Sequence, residues 1–183
     1  MIAEKLRLNG ACLLKPKIFR DERGYFLETF RDNFFCNHIA NIEFVQENQS
    51  GSKKNVLRGL HYQEAPYEQS KLVRVIKGCI QDLMVDLRPD SKTFGEYISI
   101  ILSEDNKYQL FIPKGFAHGF LSLEENTIVV YKVDSYYAPE FERCLRWDDP
   151  EININWSVKS RPIVSDKDRK GYTFKKIKSN LKK

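Results

Sequence analysis

The sequence has no long apolar run. Its longest uncharged apolar stretch falls far short of the ~20 residues that a bilayer-spanning helix needs, so no transmembrane helix and no membrane partner are expected. No secretory leader is expected either, since Met1-Ile2-Ala3-Glu4-Lys5-Leu6-Arg7 carries charges where a signal peptide has its apolar stretch. The expectation is a cytoplasmic chain. Cysteine is scarce, with four residues (Cys12, Cys36, Cys79, Cys144) and no C-x-x-C pair, which reads as four reduced thiols rather than a disulfide framework. Histidine is scarcer still. His38, His61 and His118 stand too far apart in sequence to form a local zinc cluster. Internal repeats, low-complexity linkers and a clear domain boundary are absent as well.

Basic charge is not spread over the chain. The net charge is +5, but residues 167–183 alone carry +7 and the other 166 residues carry −2. A nucleic-acid-binding domain usually shows a basic face interleaved with aromatics. Here the excess belongs to the tail, so no nucleic-acid partner is expected, and the tail reads as a solvated end.

What is present is a core. With 42% apolar and 30% charged residues in 183 positions, the chain reads as one domain over residues 1–178, with a basic, disordered tail at 179–183. Short runs with a period of two dominate: Leu72–Ile76, Cys79–Leu87, Gly95–Leu102, Gln109–Ile112, Phe120–Leu123 and Thr127–Val133. Frequent turn signals separate them, which predicts an all-β sandwich or barrel. Phe30–Ile39 reads as a helix, and Ser103–Tyr108 as a short one capped by Ser103.

Several residues carry possible chemistry. Arg58 and His61 stand three apart around Gly59. In a regular strand they point to opposite faces, as an edge arginine and a packed histidine; a bulge at Gly59 would bring both to one side. Lys71 opens a strand and is either solvated or, if turned into a barrel, a fixed cation for an oxyanion. Tyr131 shares a strand face with Val129 and Val133, as a core tyrosine or a buried phenol free to act. In Ser165-Asp166-Lys167-Asp168, Asp166 reads as a helix cap and Asp168 as solvated.

Pro113-Lys114-Gly115-Phe116-Ala117-His118 resembles the second cupin motif, P-x-G-x-x-H. Metal-binding cupins carry H-x-H and a glutamate in the first motif, whereas His61 is followed by Tyr62-Gln63. The reading is a cupin-type jelly-roll barrel with a few short helices and no metal. Leu57–Gln63, Lys71–Val75 and Ile112–Phe120 are together similar to the dTDP-4-dehydrorhamnose 3,5-epimerase family. Asp21–Phe26, Tyr131-Lys132, Tyr136-Tyr137-Ala138-Pro139 and Ser165–Asp168 match in order, so the resemblance spans roughly Leu13 to Asp168.

The resemblance implies a cofactor-free isomerase that inverts C3, C5 or both of a nucleotide-linked 4-keto-6-deoxy sugar. It implies a homodimer with exchanged N-terminal strands. His61 falls on the family's base, Asp168 on its paired carboxylate, Tyr131 on the acid and Lys71 on the cation beside the 4-keto oxygen. Arg23, Phe26, Glu28, Gln46, Asn48, Arg58, His118 and Glu142 fall on substrate-contacting positions, the first three reaching into the partner's site. Three positions depart from the pattern: Cys144 stands where glycine is usual, and Tyr172 and Ser157 where proline is usual. A GDP-linked 4-keto-6-deoxy-heptose, a C3-only reaction and a non-catalytic nucleotide-sugar-binding cupin are the alternatives.

Overall fold

The computed structural model describes residues 1–158 and 160–181. In chain order its elements are β1 (Ile2–Lys5), β2 (Cys12–Lys15), β3 (Ile18–Asp21), β4 (Gly24–Leu27), α1 (Asp32–His38), β5 (Gln46–Ser52), β6 (Leu57–Gln63) and β7 (Lys71–Lys77). They continue with β8 (Cys79–Asp86), β9 (Tyr97–Ser103), β10 (Gln109–Ile112), β11 (Phe116–Ser122), β12 (Thr127–Val133), β13 (Glu142–Cys144), α2 (Asp166–Arg169) and α3 (Phe174–Leu181). The strands form a six-stranded sheet, β1-β2-β10-β7-β12-β5, and a five-stranded sheet, β13-β6-β11-β8-β9. Every pairing is antiparallel. Among the described residues, β3 and β4 form a separate two-stranded hairpin.

The two sheets face each other over a core that includes Val73, Val75, Met84, Leu102, Leu110, Phe120 and Val129. Two further apolar layers lie outside. Phe35 of α1 packs on Cys12, Leu14, Leu72 and Phe111. The C-terminal segment covers the other sheet with Trp156, Phe174 and Ile177 against Leu83, Val85 and Leu121. This cover explains β8. Alternation there suggests one apolar face and one solvated face, yet every residue from Ile80 to Asp86 is buried. Leu83 and Val85 face the C-terminal cover, while Asp82 and Asp86 share Met84's phase and turn inward.

Three expectations need correction. Ser103–Tyr108 is a turn, not a helix: Ser103 Oγ accepts from the Asn106 backbone N–H (3.1 Å) and Asn106 Oδ1 accepts from the Ser103 N–H (3.1 Å). Asp166 is not the α2 cap; Ser165 is, its Oγ accepting from the Asp168 N–H at 3.1 Å. Residues 179–181, expected to belong to a disordered tail, continue α3. Phe174 and Ile177, three apart on one helix face, are buried, and that anchor carries α3 through Leu181. Burying each is worth about 1.5–3 kcal/mol. Lys182 and Lys183 lie outside the described residues. Among the described residues, no helix is long and apolar enough to cross a membrane.

Candidate active site

A cleft of ≈ 520 Å³ opens at one end of the barrel, lined by Arg58, His61, Lys71, His118, Tyr131 and Asp168, with Ser50 and Lys167. A second hollow of ≈ 210 Å³ adjoins it, sharing His61, Lys71 and Tyr131 and adding Gln46, Asn48, Tyr137 and Glu142.

The bulge at Gly59 builds half of this site. His118 pairs with His61 and Phe120 with Arg58, so one residue of β11, Gly119, faces two of β6, Gly59 and Leu60. The extra residue turns Arg58 and His61 to the same side, which a regular strand forbids. Gly59 sits at φ 104°, and a Cβ there would lie 2.6 Å from the His118 carbonyl oxygen. Only glycine fits. The six-stranded sheet supplies the opposite wall. Lys71 shares a face with the core residues Val73 and Val75, and Tyr131 with Val129, so both turn inward. Asn48 lies directly across from Tyr131 in the β5–β12 ladder.

His61 Nε2–H donates to Asp168 Oδ1 at 2.6 Å. Asp168 is buried, and its other oxygen accepts from the Gly59 N–H at 3.0 Å. Burial pushes this carboxyl up, but the bonds from His61, Gly59 and Ser165 outweigh it and hold it below the usual carboxylate range. The carboxylate fixes the tautomer, leaving Nδ1 of His61 with a lone pair. Lys71 is buried, which drops its ammonium to about 8, with the Asp82 and Glu142 charges opposing the fall. Burial raises the Tyr131 phenol, Asn48 beside it partly offsetting the effect. Tyr131 therefore holds its proton at neutral pH. Arg58 is aimed by β5: its Nε donates to Ser52 Oγ (3.0 Å) and Nη2 to the Gly51 carbonyl (2.8 Å).

His118 is buried and donates from Nε2 to Asp82 Oδ1 at 2.7 Å. Burial lowers its pKa despite Asp82, so it stays neutral near pH 7. The second oxygen of Asp82, like the hydroxyl of Ser50, is buried without a hydrogen-bond partner. Glu142 binds Tyr137 and Lys167, tying β13 to α2.

Three expected residues are not brought to this cleft. Arg23, Phe26 and Glu28 lie on or just after the β3–β4 hairpin, exposed to solvent. Arg23 pairs with Asp21 at 2.6 Å, Glu28 with Arg31 at 2.6 Å, and Phe26 is 70% exposed. Sequence reasoning missed Asp82, Lys167 and Ser50. Asp82 left no local signal, since its alternation with Leu83 and Val85 reads as a solvated face.

A jelly-roll barrel of the cupin type here gathers a His–Asp pair, a lysine and a phenol around one cleft, a set equipped for proton transfer at carbon. A family model for dTDP-4-dehydrorhamnose 3,5-epimerase matches residues 5–176. The Neisseria gonorrhoeae dTDP-4-dehydrorhamnose 3,5-epimerase is 52% identical over 162 residues, 88% of this chain. The match spans only 49% of that relative's length. The Methanothermobacter thermautotrophicus dTDP-4-dehydrorhamnose 3,5-epimerase is 48% identical over 168 residues, 90% of each chain. Among solved structures, the Legionella pneumophila dTDP-6-deoxy-D-glucose-3,5-epimerase, in complex with dTDP-4-keto-L-rhamnose, superposes with a TM-score of 0.94. It is 39% identical, and the match covers 98% of this chain and 96% of that one. The chain belongs to the dTDP-4-dehydrorhamnose 3,5-epimerase family.

Proposed function

We propose that this protein inverts C3 and C5 of a dTDP-linked 4-keto-6-deoxy sugar. The observation that carries this reading is the convergence of the His61–Asp168 pair, Lys71 and Tyr131 on one cleft. A C–H beside a ketone becomes removable once the enolate oxygen is stabilised, and the buried ammonium of Lys71 supplies that charge. Nδ1 of His61 takes the proton, and Asp168 stabilises the imidazolium that results. Inversion needs a proton from the opposite face. Tyr131, on the facing sheet and still protonated, gives it. Arg58 and Lys167, which line the same cleft, suit the diphosphate with its ~2 negative charges. Gln46, Asn48, His118 and Glu142 hold the sugar and the nucleoside. None of these steps requires a metal or an organic cofactor, and the chain works in the cytoplasm.

The test is solvent deuterium exchange into dTDP- and GDP-linked 4-keto sugars, read by NMR. Exchange at C3 and C5 of the dTDP hexose is expected. Exchange only in a GDP-linked sugar, at C3 alone, or in none of them would replace this reading.

The active unit is a homodimer in which the exposed β3–β4 hairpin of each protomer completes the other's cleft with Arg23, Phe26 and Glu28. The exposure of Phe26 and the distance of all three residues from their own cleft support this arrangement. Arg23→Ala and His61→Asn chains, each nearly inactive alone, are expected to regain about a quarter of parental activity when mixed and refolded. Random pairing gives half heterodimers, each with one intact site. No rescue would show that each chain forms its site alone.

The pH profile follows from Lys71. Its ammonium is charged below about 8 and neutral above. Enolate stabilisation is thus lost as pH rises through that value, and kcat/KM is expected to fall on the alkaline side with an apparent pKa near 8. Lys71→Arg keeps its charge far beyond that range and should lack this limb, whatever its absolute rate.

A further inference from the structure

Cys144 stands directly opposite His61 in the β13–β6 ladder. Cross-strand partners send their side chains out on the same face of a sheet. Asp168 arrives at the same point from α2. One donor atom from each of His61, Cys144 and Asp168 lies within 4.8 Å of the other two. Imidazole nitrogen, sulfur and carboxylate oxygen are the donor types zinc takes, at about 2.0–2.3 Å, which corresponds to donor separations of about 3.3–3.6 Å in a tetrahedron. Side-chain rotations of about 1 Å close that gap. His61 also lines the cleft, with a side chain 31% exposed. Two departures from the family pattern meet here. The Tyr172 N–H donates to the Cys144 carbonyl at 2.7 Å, a bond the usual proline cannot make. Gly171 packs beside the thiol, where an added Cβ would lie 3.1 Å from Cys144 Sγ.

We propose that His61, Cys144 and Asp168 form an inhibitory site for zinc, or for another divalent cation with a similar taste for nitrogen and sulfur. The cation takes Nε2 of His61, which moves that nitrogen's proton to Nδ1. The thiol proton of Cys144 leaves to solvent, and Asp168 transfers its carboxylate from the imidazole to the metal. Nδ1 is the atom proposed as the base, so a metal on the far nitrogen silences it without occupying the sugar's place. The inhibition rests on that role of His61; the metal site does not.

Two measurements on the full-length protein test this. Cobalt(II), added without substrate, is expected to give a thiolate-to-metal charge-transfer band in the near ultraviolet and the visible bands of a tetrahedral ion. Cys144→Ala should lose the thiolate band. Zinc is then titrated into the exchange assay, each variant being compared with its own metal-free rate. Zinc should inhibit the parent, EDTA should restore the rate, and EDTA alone should not lower it. Cys144→Ala should need roughly 100-fold more zinc for half-inhibition, the scale of losing one ligand. Cys144→Ser, which fills the space of the thiol, serves as the second variant. An absent thiolate band in the parent would overturn the site. Equal zinc sensitivity in parent, Cys144→Ala and Cys144→Ser would overturn the inhibition. Because the cobalt spectrum needs no substrate, a failure of the proposed reaction leaves it readable.

Discussion

Tyr131→Phe is expected to wash solvent deuterium into the substrate while inverting little of it. Abstraction survives, because His61, its Asp168 partner and Lys71 all remain. Reprotonation from the far face fails, because Tyr131 is the proposed donor on the β12 side of the cleft and burial keeps its phenol protonated. The proton then returns from the face it left. The phenol is asked for roughly 10²–10⁴-fold in inversion rate, about 3–5 kcal/mol, the usual scale for a positioned general acid. A tyrosine that merely packs would behave differently, since losing its hydroxyl costs about 1 kcal/mol of stability and leaves the chemistry alone. Both rates come from one NMR experiment on folded protein. Inversion within about threefold of the parent would remove Tyr131 from the role of acid.

The largest loss is expected from His61→Asn. Exchange at C3 and at C5 should both fall by about 10⁴-fold, because one imidazole serves both positions and the acid on the other wall cannot replace it. Asparagine is the informative substitution. Its amide can still donate to Asp168, so the buried carboxylate keeps a partner and the cost of an unpaired buried charge is avoided. A melting temperature close to the parent's, together with the loss of exchange, separates chemistry from folding. Retained exchange at either carbon would mean that a different base works there.

Much of this was legible in the chain itself. The period-two alternation in residues 71–77, 79–86 and 127–133 marks strands, because side chains on an extended backbone alternate by geometry alone. The same alternation put Tyr131 in phase with Val129 and so turned it inward. Ordered motifs along the chain named the family. The three-residue spacing of Arg58 and His61 left two outcomes open, and the tightly packed crossing of Gly59 and Gly119 chose between them. A Cβ on Gly119 would meet the Arg58 carbonyl oxygen at 2.5 Å, so only glycine there lets β11 lie this close to the bulge of β6.

Other features could not be read locally, since they depend on what packs against a strand from far along the chain. Asp82 and Asp86 look solvated in a pattern that alternates with Leu83 and Val85. They are buried because the C-terminal segment covers the apolar face and leaves the polar phase pointing into the barrel. Asp168 looked solvated and is buried 2.6 Å from an imidazole more than a hundred positions away. Ser165 starts a helical turn there, and the Ile163 strand-like bridge fastens it beside β6. The meeting of His61, Cys144 and Asp168 is of the same kind. Three donors spread over residues 61–168 show no metal spacing, and only antiparallel pairing of β13 with β6, together with the seating of α2, brings them within 4.8 Å of one another. Sequence alone marked six of the strands, β7 to β12, and the residue types that the site contains. Tertiary packing decided which way each side chain faces, because burial is set by the covering layer and not by the strand that carries it.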